Sequence, residues 1–378
     1  MQLNLHPSTL EMSQSHWQQY LCLQADPFSQ YAFHAALERS GSVGGDSGWQ
    51  PLHLEIIDDG KPITLIPSYI KTNSWGEYVF DFEWANAYQR YGLEYYPKMI
   101  SAVPFTPCAG PRILLAPEAD LSKALCFLQQ QLPKLCAQFK LSSWHWLFAQ
   151  KPDCEAAQEQ SWHQRIGCQY HWYNHDYGQF GDFTARLTSR KRKSINKERR
   201  VIVEQGIKFD WQQGKKISPQ SLKEFYACYQ STYMKRRSQG YLTYQFFAEL
   251  LTEMPNKLLL VTASKDDAPL AYALFFVDDE TLYGRYWGCL EEVEFLHFET
   301  CYYQGIDYCI ANGIAHFDAG AQGEHKLARG FVPQLTHSYH YLAEPGFNDT
   351  IKNFCAAEAQ QIEHYMQWAQ TALPYKGE

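Results

Sequence analysis

Two stretches of this chain repeat one layout, and the repeat limits the folds open to it. His53 to Ile57 reads as a strand, turns at Asp58-Asp59-Gly60, and is followed by a second strand-like run, Ile63 to Ile70, and then by Gly76-Glu77-Tyr78. Leu258 to Ala263 is likewise strand-like, turns at Asp266-Asp267-Ala268-Pro269, continues through Leu270 to Val277, and reaches Gly284-Arg285-Tyr286. Asp59 to Gly76 and Asp267 to Gly284 are both 17 residues. Asp-Asp turns are common by themselves, so the weight falls on the equal spacing and on the elements after each copy: a helical stretch, a strand-like stretch and a Gly-rich turn. Hairpin, helix and strand make an α+β unit, and two copies point to tandem domains of one fold. A chain of 378 residues is also longer than one small core supports. The expectation is an α+β protein with domains at residues 1–165 and 166–378, the second with a basic entry helix and a C-terminal packing helix.

Apolar spacing places the helices. Leu125, Leu128, Leu132, Leu135 and Phe139 recur on one face of Leu121 to Phe139. Ser189 to Gln205 is a basic helix stopped near Gly206, Ser221 to Tyr233 and Tyr244 to Leu251 are further helices, and Asp349 to Ala372 is a long amphipathic one. The net charge of −8 hides an asymmetry: Arg186 to Arg200 holds eight Lys/Arg and one acid, which leaves −15 on the rest. An acidic body with one basic stripe suits a local anionic ligand better than general nucleic-acid coating, and DNA is not an expected partner. Eleven cysteines without a Cys-x-x-Cys pair indicate reduced thiols. Met1 to Phe28 lacks the basic start and apolar run of a signal peptide, and no stretch approaches the ~20 apolar residues of a membrane span. A cytoplasmic protein is the expectation.

Three places carry candidate chemistry. Gly320 to Phe331 lies between two strand-like runs, Ile314 to Asp318 and Thr336 to Leu342, and combines three glycines with Glu324, His325, Lys326 and Arg329. The glycines let the backbone approach a bound group closely, while the charged residues bring acid, base and cations into six positions. His297-Phe298-Glu299 opens like a nucleoside deaminase zinc motif, but the required Pro-Cys-x-x-Cys is missing, so no metal site is assigned there. Glu299 falls near the start of a helix, Thr300 to Asn312, where it serves as a cap or as a catalytic carboxylate. In the basic stripe, Arg190, Arg192, Lys193 and Lys197 form a cationic array suited to a diphosphate or an RNA backbone, with Ser194, Ile195 and Val201 expected on the buried side. Neither G-x-x-x-x-G-K-[ST] nor G-x-G-x-x-G occurs. The [QR]-x-x-G-x-[GA] loop that holds coenzyme A is matched only in part, from Gln89, Gln164, Arg237 and Arg285, which counts against acetyl-CoA as a donor.

Several segments together resemble the FemAB-like predicted N-acyltransferases, a peptidoglycan-biosynthesis group within the GNAT superfamily. They are Gly76 to Asp81, Tyr95-Tyr96-Pro97-Lys98, Val103 to Pro107 with Gly110-Pro111-Arg112, Ser189 to Lys193, Leu282 to Cys289, His297 to Tyr303, and Gly320 to Phe331. The resemblance implies two GNAT-like domains. In the better-understood Fem transferases the donor is an aminoacyl-tRNA and the acceptor an amine on a cell-wall precursor. Arg192 to Ile195 is similar to their helix start, and Lys326 with Gly330-Phe331 to their lysine near the end of the second domain. No long heptad run matches the coiled-coil arm of some members, and Gln322-Gly323-Glu324-His325 departs from the pattern.

The implied activity is acyl or aminoacyl transfer to the amine of a small-molecule or cell-wall-precursor acceptor. Such a reaction needs a base for the ammonium proton and a cation for the developing oxyanion. Lys326 takes the cationic role, and the base is Glu299, His297 or His325, in that order. Arg285, Tyr286, Trp287, Gln322, Glu324, Arg329, Arg190, Arg192 and Lys193 are the substrate-binding candidates. No cofactor is assigned; aminoacyl-tRNA and acyl-CoA are the alternative co-substrates, and tRNA a partner. The contrasting reading is a non-catalytic GNAT-fold protein that binds a phosphorylated ligand or tRNA.

Overall fold

A computed structural model describes residues 1–21, 26–235, 237–321 and 323–376; the candidate binding residue Gln322 lies outside them. Contacts divide the chain into two compact units, Met1–Gly167 with Leu335–His364, and Cys168–Gln334 with Tyr365–Glu378. The C-terminal helix, Asn348–Thr371, therefore gives its first part to the first unit. The sequence places it wholly in the second domain, because helical periodicity shows that a face is buried but not against what. Among the described residues no helix is long and apolar enough to cross a membrane.

The first unit contains β1 (Gln2–His6), β2 (Trp49–Pro51), β3 (His53–Asp58), β4 (Lys61–Ile66), β5 (Tyr69–Lys71), β6 (Lys98–Ser101), β7 (Leu114–Leu115) and β8 (Ser143–Ala149). The chain crosses the division within β9 (His163–Tyr173) and again within β15 (Val332–Leu342). One sheet has the order β1-β3-β4-β7, and a second run of strands pairs as β15-β8-β6-β5-β2. The run expected from Ile63 to Ile70 is split between them. Pro67 has no N–H to continue a ladder, and Ser68 instead donates its N–H to His53 Nδ1 (3.1 Å) and accepts from the Leu52 N–H (2.9 Å). The helix Leu121–Phe139 packs Leu125, Leu128 and Leu132 into a core with Trp144 and Trp146 of β8.

The second unit adds β10 (Ile207–Gln213), β11 (Leu258–Lys265), β12 (Ala268–Val277), β13 (Thr281–Cys289) and β14 (His316–Asp318), in the order β10-β11-β12-β13-β14-β9. Neighbours are antiparallel except β13 and β14, which run parallel. A parallel pair needs a crossover, and the helical segment from Leu296 to Asn312 supplies it, with a π-helical stretch at Glu299–Tyr303. Both copies of the repeated hairpin close with two residues at positive φ, Asp59 (47°) and Gly60 (76°) in one, Asp266 (49°) and Asp267 (60°) in the other. That is the turn whose twist matches paired strands. The copies then diverge. Gly284 is paired within β13, whereas Gly76 sits in a turn at φ +80°, where a Cβ would lie 2.5 Å from the Phe105 ring.

The helix Pro219–Lys235 lies directly on β13, with Ser231 Oγ donating to Cys289 O (3.1 Å) and Thr232 Oγ1 to Trp287 O (3.0 Å). Gly288 makes this approach possible, since a Cβ there would stand 1.9 Å from the Cys228 carbonyl oxygen. Backbone cannot swing aside as a side chain can, so Gly288→Ala must push the helix off the strand. Chemical denaturation is expected to show a loss of ~3 kcal/mol, the upper range for overpacking.

Candidate active site

The site begins with a defect in a strand. Along β12 and β13, Leu274 faces Tyr286 while the next residue, Phe275, faces Gly284, so Arg285 is the extra residue of a bulge. A bulge redirects a side chain that would otherwise follow the pleat. Arg285 turns to the end of β14 and grips Asp318 with both arms, Nη1 to Oδ1 at 3.2 Å and Nη2 to Oδ2 at 2.7 Å. Both side chains are almost fully buried. Burial alone would raise the Asp318 carboxyl, but Arg285 and His171 outweigh it and hold the group down at about 2. Asp318 Oδ1 also accepts from the Gly320 N–H (2.8 Å), which fixes the start of the Gly-rich segment.

That segment is not an open loop. Glu324–Arg329 winds into a 3-10 helix, entered through Gly323 at φ 118° and ended by Gly330 at φ 87°. A Cβ on Gly330 would meet the Phe183 ring at 2.8 Å, so glycine is required there both for its angle and for its lack of a side chain. The short helix turns Lys326 inward. Its side chain is 1% exposed, and Nζ donates to Gly320 O at 2.7 Å. Burial lowers the Lys326 ammonium from its ordinary 10.5 to about 8; Asp318 works against this and Arg285 adds to it.

Two clefts open beside these residues. One of about 390 Å³ is lined by Lys235, Trp287, Glu292 and His297 among others. A second of about 100 Å³ is lined by Arg285, Tyr286, Trp287, His297, Cys301 and Tyr302 among others. Trp287 and His297 belong to both. His297 packs edge-on to Trp287 and Tyr302 (ring centroids 5.3 Å in each case) and lies 6.3 Å from the His325 ring. His325 shares a hydrogen bond from Nε2 with the Tyr302 hydroxyl (2.9 Å), and burial, then Arg329 and Lys326, lower its pKa. An imidazole so lowered is neutral near pH 7, the state a base requires.

The structure therefore brings His297, Arg285, Tyr286 and Trp287 to the clefts; Lys326 and His325 line neither, His325 bonding to the cleft residue Tyr302 and Lys326 lying within electrostatic reach of Arg285 and Cys301. It turns others elsewhere. Glu299 follows His297 by two helical positions and so faces away from it. Its Oε1 accepts from Arg199 (3.0 Å) and Gln304 (2.8 Å), and it lines neither cleft. Arg329 is spent on Glu198 (2.9 and 3.0 Å) and on the face of the Phe298 ring, 3.4 Å from its centroid. Glu324 is exposed and lines neither cleft. The basic helix, Ser189–Glu204, buries Ile195, Glu198 and Ile202. Ser194, expected on the buried side, is exposed. Arg190, Lys193, Lys197 and Arg200 are exposed at helical spacing on one face, whereas Arg192 is half-buried off that row. Asp318, Cys301 and Tyr302 were missed. The signal available for Asp318 was an acid closing an apolar strand just before the first glycine of the loop.

The lowered Lys326 has a thermodynamic consequence. The folded chain releases this proton near pH 8 and the unfolded chain near 10.5, so between them the unfolded state holds more protons and stability rises with pH. A Lys326→Met variant lacks this contribution. Denaturant titrations are expected to show the difference between parent and variant moving in the parent's favour by on the order of 3 kcal/mol from pH 7 to 10.5.

Comparisons with known proteins agree with this architecture. None of the proteins with curated functions matches the sequence. Among solved structures, that of FemX superposes with a TM-score of 0.55 at 10% identity, covering 93% of this chain and 100% of that one. The C-terminal domain of a putative lysylphosphatidylglycerol synthetase from Agrobacterium fabrum gives 0.53 at 8% identity, over 93% and 97% of the two chains. L-PGS from Bacillus licheniformis gives 0.51 at 9%, over 90% and 98%. At these identities the likeness is one of fold, and the fold is the expected FemAB-type tandem of GNAT-like α+β domains. The profile of the FemAB-like family, described as peptidoglycan biosynthesis and recognition, matches residues 8–377, and the chain belongs to that family.

Proposed function

We propose that the second unit catalyses N-acyl transfer, aminoacyl or acyl, to an amine acceptor related to the cell wall. The observation that carries this reading is Lys326, a buried ammonium lowered to about 8 within electrostatic reach of Arg285 and Cys301, which line the smaller cleft together with His297. In amide formation the acceptor nitrogen attacks the acyl carbonyl, negative charge collects on the carbonyl oxygen, and the nitrogen loses a proton; the intermediate then collapses by breaking the bond to the donor's ester oxygen or thioester sulfur, which leaves with a proton as the free tRNA hydroxyl or CoA thiol. A desolvated ammonium in a fixed position stabilises that oxygen far better than one in water. His297 takes the proton. It lines both clefts, and Glu299, first choice on sequence, is held by Arg199 instead. His325, bonded to Tyr302, is the next candidate. Arg285 acts through Asp318 and Lys326 as a positioning residue.

The donor proposed is an aminoacyl-tRNA. FemX, the putative lysylphosphatidylglycerol synthetase domain and L-PGS share the fold, and the basic helix offers four exposed cations, Arg190, Lys193, Lys197 and Arg200, in one row. An acyl-CoA donor is the alternative. The test pairs the purified protein with mixed aminoacyl-tRNA or acyl-CoA donors and a nucleotide-linked peptidoglycan precursor, and reads the product by mass spectrometry. A precursor heavier by one aminoacyl group, formed only with tRNA, is expected. Formation only with acyl-CoA would replace the donor, and no product with either would defeat the transferase reading. Lys326→Ala is expected to cost about a hundredfold in turnover, the loss typical of one oxyanion stabiliser; turnover within twofold of the parent would remove Lys326 from this role.

The cationic row makes a separate prediction. Three phosphate contacts on a single-stranded backbone give a log–log slope of affinity on salt near −2, at roughly −0.7 per contact. Lys193→Ala/Lys197→Ala is expected to flatten the slope for tRNA by about 1.4. A slope unchanged by the double variant would assign these side chains to solvent alone.

A further inference from the structure

A second cluster, in the first unit, has no part in the transferase reading. Asn4 and His6 are two apart on β1 and so share a face. The antiparallel register sets Asn4 against Glu55 of β3 and His6 against His53, which puts the Glu55 side chain on that same face. His16 arrives from the short helix Gln14–Gln18. Ser13 caps that helix by accepting from the His16 N–H (3.1 Å), and Trp17, wholly buried with its indole N–H on Ser29 O (2.9 Å), pins it down. The result is one carboxylate between two imidazoles, His6 Nε2 at 3.0 Å from Oε2 and His16 Nε2 at 2.5 Å from Oε1.

Glu55 already has a donor on each oxygen, the Asn4 amide on Oε2 (3.0 Å) and the Tyr20 hydroxyl on Oε1 (2.5 Å). Two imidazole nitrogens and a carboxylate are a ligand set, and these three donor atoms lie within 4.8 Å of one another. A tetrahedral ion with bonds of about 2.1 Å holds its ligands about 3.4 Å apart, a spacing reached here by small side-chain adjustments. Glu55 is 4% exposed and His16 39%, so the carboxylate forms the floor and one side remains open for water as a fourth ligand. Asn4 and Tyr20 then take the place of the outer partners that orient a metal-bound carboxylate.

We propose that His6, His16 and Glu55 bind a divalent transition-metal cation, Zn²⁺ in first place, which clamps β1 and the first helix onto β3. Imidazole with carboxylate suits zinc, cobalt and nickel, whereas magnesium and calcium prefer all-oxygen sites. The clamp is independent of acyl transfer and stands or falls apart from it.

Untagged protein, first stripped with chelator, is titrated with Zn²⁺ by calorimetry and with Co²⁺ by visible absorption. The expected result is one equivalent bound, the intense visible bands of four-coordinate cobalt with nitrogen and oxygen ligands, and a Tm that rises with Zn²⁺ concentration, since a ligand of the folded state stabilises it. His6→Ala and His16→Ala should each abolish the cobalt spectrum. His364→Ala, exposed on the C-terminal helix, should leave it intact, and Asn4→Ala should weaken binding by about tenfold or more. The absence of stoichiometric binding by the parent protein overturns the proposal, as does binding that survives the His6→Ala/His16→Ala double variant. A thiolate-to-cobalt band would place the ion on a cysteine and overturn it equally.

Discussion

The buried ion pair between Arg285 and Asp318 is the interaction on which the site depends. Taking both charges out of water is expensive, and it is recovered only where geometry is good and the remaining donors and acceptors are used. Here the bulge in β13 supplies the geometry, and the Gly320 N–H takes up a further lone pair of the carboxylate. The pair in turn sets the electrical environment of Lys326. Asp318 favours the ammonium, Arg285 disfavours it, and burial tips the balance toward a group that titrates near pH 8. An isolated lysine this deeply buried would lose its charge, while one paired directly with a carboxylate would hold its proton too firmly to respond to chemistry. The amine is instead offset from the acid and anchored on Gly320 O.

The segments that carry the family resemblance divide by physical role. In the second unit, the pieces around Arg285 and His297 line the clefts, and the piece around Lys326 packs beside them through the bond of His325 to Tyr302. In the first, Gly76 to Asp81 and Tyr95 to Lys98 build a buried charge network. Lys98 bonds to Glu77 (2.7 Å) and to Asp81, and the Tyr95 hydroxyl donates to Asp81 (2.6 Å). Burial pushes Glu77 up to about 7 even so. Nearby, Arg165 holds Glu358 with two bonds (2.7 and 2.6 Å), tying the C-terminal helix into the first unit. Such networks cost stability when half-satisfied and specify one packing when complete.

Much of this was legible in the sequence, and the failures have a common cause. Hairpins, helix limits and the Gly-rich segment depend on residues close in the chain, so period and turn chemistry found them. The basic helix was placed within one residue of its observed end because Gly206 marks the stop. Orientation was lost where neighbours in sequence face apart. His297 and Glu299 read as one motif, yet two helical steps send the first to the clefts and the second to Arg199. Arg192 and Lys193 separate in the same way. Arg285 and Asp318 are 33 residues apart, and nothing local announces that a bulge will join them. The missed Asp318 is therefore a loss of tertiary information, not of motif recognition.

Everything proposed for the second unit turns on Lys326 being a buried amine tuned toward neutrality by its surroundings. Nuclear magnetic resonance of lysine side chains selectively labelled with ¹³C at the ε-carbon, assigned with Lys326→Met, titrates that amine directly. A midpoint near 8 is expected in the parent protein, moving lower in Asp318→Asn as the favourable carboxylate charge is removed. A midpoint at the ordinary value of 10.5, unmoved by the Asp318 substitution, would contradict it.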